Sequence, residues 1–193
     1  MSADCTRTFT SKENITTYTE TKNQTIRVDK PPSVSDGTVS ATVGGESIPT
    51  DTGTGDVVTS DQTVTVDAKV DGASDVTAAN VTVGGGALTA VKEAANVSNL
   101  AIQTNVGTLT VSQAALDAIV DNATVGGTVT DVTLSIKVSD SDKHSVTYDF
   151  TATDARGEEV FDQTASEDAT ITVTVAAPES AAVGETVYIY YID

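Results

Sequence analysis

The residues best spaced for chemistry are paired carboxylates in polar stretches: Asp51 and Asp56, Asp71 and Asp75, and Asp140 and Asp142. Calcium takes six to eight oxygen ligands, and extracellular β-domains bind it in loops of this kind. None of the pairs follows the twelve-residue EF-hand pattern, so a solvated acidic surface is the simpler expectation beside a loop-bound calcium. Paired carboxylates also run glycoside hydrolysis. Such sites add aromatic platforms, and this chain has no Trp, 3 Phe and 5 Tyr. His144 is the single histidine, in the polar run SDSDKHS, and no nucleophile-elbow motif completes a triad with it. One histidine also leaves the usual zinc sets short of ligands. VTVGGGALTAV (81–91) places three glycines between a strand and a helix, as phosphate loops do. It lacks the Gly-Lys-Ser/Thr ending and does not satisfy GxGxxG, so it reads as a flexible turn. No catalytic residue, cofactor or metal is expected, and the chain is expected not to be an enzyme.

A modification signal is stronger. Of seven asparagines, five begin an Asn-x-Ser/Thr triplet: Asn14, Asn23, Asn80, Asn96 and Asn122. Ser and Thr make up roughly a quarter of the chain, so about two such triplets follow from composition alone. The excess favours an exported, glycosylated surface.

The elements that must carry these residues are mostly strands. Residues 1–30 are polar and Thr-rich, a strand or ordered arm rather than a helix because β-branched residues favour extended backbone, or equally a disordered lead-in because apolar residues are few. Pro31-Pro32 punctuates the chain, and VSATV (39–43) and TVTVDAKV (63–70) follow as strand candidates. Leu88, Val91 and Ala95 share one helical face, as do Leu116, Ile119, Val120 and Ala123, with Ser112 placed as an N-cap. These stretches are duplicated. VTVGGGALTAV (81–91) matches LTVSQAALDAI (109–119), and LAIQT (100–104) matches LSIKV (134–138). Two strand-helix-strand units, 81–104 and 109–138, are therefore expected, the second carrying an inserted TVGGTV. From 144 to 193 the period is two, which predicts C-terminal hairpins. Val146, Tyr148 and Phe150 share one face, Ile171, Val173 and Val175 another, with a turn at Asp154-Ala155-Arg156-Gly157. The final TVYIYYID is apolar on both faces, the mark of a strand buried on both sides.

The chain has 193 residues, with 28 acidic against 10 basic and a net charge of −18. That sign argues against nucleic acid and anionic membrane surfaces as partners. The Asp-rich, Lys-poor surface suits a halophilic source, and suits ordinary extracellular acidity equally. Cys5 stands alone, so no disulfide is expected within the chain. No apolar run reaches a membrane span, and no apolar leader follows Met1.

LAIQTNVGTLTV, QAALDAI and VTLSI resemble a β-rich module repeated in large surface proteins of bacteria and archaea, those bearing S-layer homology domains. YDFTATDARGEEV and VYIYYID resemble that module's later hairpin and its tyrosine-rich strand, so the likeness spans roughly 30–193. It implies a structural role and carries no catalytic residue over. The chain stops at Asp193, where the related modules continue into another hairpin.

The expected fold is mainly β: a sandwich-like domain over 31–193 with two short helices, preceded by the arm 1–30. The expected function is a non-catalytic extracellular module of a cell envelope or S-layer-like assembly. It would self-associate or contact neighbouring structural proteins. Tyr188, Tyr190 and Ile192 are the assembly candidates, exposed if Val187, Ile189 and Tyr191 face the core. The alternative is a virion component of tail, decoration or fibre type, and a carbohydrate-binding or glycan-processing module is the weaker third reading.

Overall fold

A computed structural model describes residues 23–44, 63–94, 97–141, 145–161 and 168–176. Before the first helix come β1 (Asn23–Ile26), β2 (Ser33–Ser35), β3 (Thr38–Val43), β4 (Thr63–Asp67) and β5 (Ala78–Val83). Helix α1 (Gly85–Glu93) leads to β6 (Asn99–Gln103) and β7 (Gly107–Ser112), and then α2 (Gln113–Asn122). A small hairpin of β8 (Thr124–Val125) and β9 (Thr128–Val129) precedes β10 (Val132–Ser141), β11 (Val146–Asp154) and β12 (Ile171–Val175).

The protein is mainly β. Two mixed sheets form a sandwich-like arrangement, one ordered β1-β4-β6-β7-β12 and the other β11-β10-β5-β3-β2. Alternation along each strand sends Val64, Val66, Leu100, Ile102, Leu109 and Val111 inward from the first sheet. Val39, Val43, Val81, Val83, Leu134 and Ile136 do the same from the second. Each such side chain contributes about 1.5–3 kcal/mol on burial, which is how a chain without Trp holds a core.

The duplication is visible in three dimensions. The first unit runs β5-α1-β6 and the second β7-α2-β10, and each helix carries the chain from one sheet to the other. Exchanging the units turns the antiparallel pair β6·β7 into the antiparallel pair β10·β5. The two helices pack on each other. Both crossovers lie at the same end of the sandwich, so the helix pair caps that end. Leu88 and Val91 of α1, and Leu116, Ile119 and Val120 of α2, are buried as their spacing predicts. Ser112 is the N-cap of α2, its hydroxyl accepting from the Ala115 N–H. Ala95 lies outside the described residues. The inserted TVGGTV is the β8–β9 hairpin, turned by Gly126 and Gly127 at φ of 60° and 84°.

Two features depart from the sequence expectations. The arm does not end before the domain: Asn23–Ile26 adds to the first sheet in parallel with β4. The expected C-terminal hairpins do not pair β11 with β12, since β11 joins β10 in one sheet and β12 joins β7 in the other. Period two identifies strands but says nothing of which strands pair. Val173 shares the inward face with Ile171 and Val175, as period two predicts, and is 39% exposed. Its strand is the last of its sheet.

Candidate functional site

The glycine run is committed to the fold. The Gly84 N–H donates to the Val43 carbonyl, and the Gly85 N–H donates to Asp131 Oδ1 at 3.1 Å. A Cβ on Gly85 would collide with the Val129 carbonyl oxygen. Glycine is therefore needed so that α1 can start against the β8–β9 hairpin. A phosphate would seek the first-turn amides of such a helix, and here Asp131 already offers them a carboxylate.

The acidic pairs do not converge. Asp71, Asp75 and Asp140 are exposed, while Asp51, Asp56, Asp142 and His144 lie outside the described residues. Among the described residues, no three His, Cys, Asp or Glu side chains are grouped to hold a metal ion.

Among the described residues, the carboxylate deep in a network is Asp154, whose side chain is fully covered. Oδ1 accepts from the Arg156 and Glu158 N–H groups at 2.8 and 3.0 Å, and Oδ2 accepts from Arg156 Nε at 2.7 Å. Burial alone would raise its pKa. The Arg156 hydrogen bond, the two backbone donors and the guanidinium charge outweigh burial and hold it below the usual carboxylate value. The turn anticipated at Asp154–Gly157 is thus built around an ionised aspartate. Nothing reactive faces it.

Of the five glycosylation triplets, Asn80 and Asn122 have described side chains. Asn80 is half-buried on the outer face of β5, flanked across the sheet by Ser40 and Ser135. Its Thr82 hydroxyl shares a 2.9 Å hydrogen bond with that of Thr133. Asn122 Nδ2 donates to the Val160 carbonyl at 3.0 Å, and Thr124 Oγ1 donates to the Val120 carbonyl at 2.7 Å. Asn23 lies on the edge strand β1, and Asn14 and Asn96 fall outside the described residues.

The Thr-x-x-Gly stretch between β6 and β7 is a tight turn. Thr104 Oγ1 donates to the Gly107 carbonyl and accepts from the Val106 and Gly107 N–H groups. A Cβ on Gly107 would stand 2.7 Å from the Thr174 carbonyl oxygen of β12. The motif shows no role in the sequence alone; its work is to bring β12 close.

What remains open is the rim of the sandwich. On one side Ile26 and Val28 pack against the core, and the Asp29 N–H reaches the Thr42 carbonyl of the other sheet. That segment spans both sheets. A shallow groove of about 320 Å³ runs beside it, lined by Thr25, Ile26, Arg27, Val28, Pro31 and Asp67. On the other side Tyr148, Phe150, Phe161, Ile171 and Val175 are only partly buried. Tyr148 Oη crosses the seam to donate to the Ala176 carbonyl at 3.1 Å, and burial pushes its pKa up. The edge of β11 is partly covered, because the Val160 N–H bonds the Ala152 carbonyl and Thr153 bridges to Glu159. The outer edges of β1 and β12 carry no strand among the described residues. Tyr188, Tyr190 and Ile192 lie outside those residues.

No family model, curated protein or solved structure matches this chain. No described helix is long and apolar enough to cross a membrane.

Proposed function

We propose that the protein is a non-catalytic structural module of an extracellular surface assembly, of the cell-envelope or S-layer kind. It works by pairing strand edges with neighbouring copies or structural proteins while an acidic exterior keeps it hydrated. The observation that supports this reading is the contrast between the residues that looked poised for chemistry and the open strand edges. Gly85, Asp131, Asp154 and Thr104 are all spent on internal contacts, whereas β1, β12 and β2 end their sheets with no further strand on the outer side among the described residues. An exposed edge is a template for another chain. The likeness of residues 30–193 to repeated surface modules supports the same role. A loop-bound calcium remains compatible with it.

The net charge of −18 sets the conditions. At low ionic strength, repulsion between copies opposes assembly, and molar salt screens it to within a few Å. Electron microscopy of the purified chain in molar salt is the direct test. Sheets or filaments support a surface assembly, closed particles favour the virion alternative, and dispersed monomers at every salt concentration overturn the reading. Turnover in a screen of ester, peptide and glycoside substrates, lost on replacing one Asp or Glu, overturns the non-catalytic part.

A further inference from the structure

We infer that β1 and β12 are the two halves of a single head-to-tail contact, so that the first sheet continues from one copy of the chain into the next. This rests on the assembly reading above and names the surfaces that carry it.

The two edges are complementary in backbone and charge. They close the same sheet at opposite ends, and both are short and Thr-bearing. The Ser112 N–H donates to the Thr170 carbonyl at 2.9 Å. In an antiparallel ladder bonded residues alternate, so Thr172 and Thr174 also face β7. Val173 then directs its N–H and carbonyl away from the sheet, and its side chain is 39% exposed on the inward face. A strand laid against β12 would both satisfy that backbone and cover that valine.

Charge selects the partner edge. Residues 1–30 hold five basic residues, Arg7, Lys12, Lys22, Arg27 and Lys30, against four acidic ones, Asp4, Glu13, Glu20 and Asp29, in a chain whose net charge is −18. Arg27 and Lys30 are exposed beside β1. After Arg156 the sequence has eight Asp or Glu and no Lys or Arg, and the exposed Asp168 leads directly into β12. A second copy therefore brings the edge that carries Arg27 and Lys30 to an acidic one, while two β12 edges would repel. Because the contact joins different surfaces, it need not close on itself, and its natural product is a filament or lattice row.

Sedimentation velocity of the full chain over a concentration series in molar salt tests this. Wild type should give a concentration-dependent ladder of species beyond the dimer. Val173→Lys turns a charge inward at the edge, and Val173→Pro removes only the outward donor; both should sediment as monomers with an unchanged circular dichroism spectrum. Arg27→Glu with Lys30→Glu should do the same from the other edge. Mixed, Val173→Lys and the double-glutamate variant should form one heterodimer and nothing larger, since each retains one intact half. If the folded Val173 variants assemble like wild type, or the mixture stays monomeric, the edge pairing is wrong while the assembly reading stands. A Val173 amide already protected from hydrogen exchange in the monomer also overturns it, because the chain's own C-terminal segment would then cover β12. A wild type that is monomeric throughout sinks the assembly reading itself.

Discussion

Asn105 holds Val70 by both of its backbone polar groups. Its Oδ1 accepts from the Val70 N–H at 2.8 Å and its Nδ2 donates to the Val70 carbonyl at 3.0 Å. The carboxamide thus imitates a neighbouring strand just after β4 has ended at Asp67, and fastens the β4–β5 connection to the β6–β7 turn. Asn105→Asp keeps the shape but loses the donor and sets a carboxylate against a carbonyl. It should cost about 1–2 kcal/mol in denaturant unfolding. A change within 0.3 kcal/mol, of the order seen for neutral surface substitutions, would show that the clamp is incidental.

Adjacent glycines in α1 should respond oppositely to alanine. Gly85→Ala drives a methyl into the Val129 carbonyl and should destabilise by roughly 1–3 kcal/mol, as overpacking does. Gly86 is exposed in the same helix, so Gly86→Ala should be neutral or stabilise by up to about 1 kcal/mol. Equal effects on the melting temperature would contradict the close contact of α1 with the β8–β9 hairpin.

Asp154 ties stability to acid pH. Its pKa is lowered in the fold, so the unfolded chain takes up the proton first as pH falls. Its contribution is fully present above the unfolded value of about 3.9 and is lost as pH drops from there through the lower folded value. Asp154→Asn should therefore melt lower than wild type at pH 7, and the gap should narrow below pH 4. A gap that persists unchanged at low pH would mean that the charge is unimportant.

Glycan occupancy should differ among the triplets. Asn122 spends its Nδ2 on the Val160 carbonyl, and Thr124 spends its hydroxyl on the Val120 carbonyl. Peptide mapping of material from the native source should find glycans on some of Asn14, Asn23, Asn80 and Asn96 but a bare Asn122. An occupied Asn122 would show that these two bonds do not hold in the mature protein.

Where local pattern suffices, the sequence was decisive. The runs 39–43 and 63–70 mark strands, of which β4 keeps Thr63–Asp67, a three-four spacing marks Leu88 and Val91, and Ser112 announces the start of α2 because a cap needs only its own next turn. The duplicated units and the TVGGTV insertion were legible for the same reason, since copied segments keep their local chemistry. Pairing was not legible. That β11 and β12 part into different sheets, and that Asn23–Ile26 joins β4, depends on contacts between residues far apart in the chain. Asp131, 46 residues from the Gly85 amide it meets, and Asn105, 35 from Val70, carry no local signature of their partners. Only the tertiary structure could leave Val173 exposed while Ile171 is half-buried on the same face, because burial at an edge is set by what the opposite sheet covers.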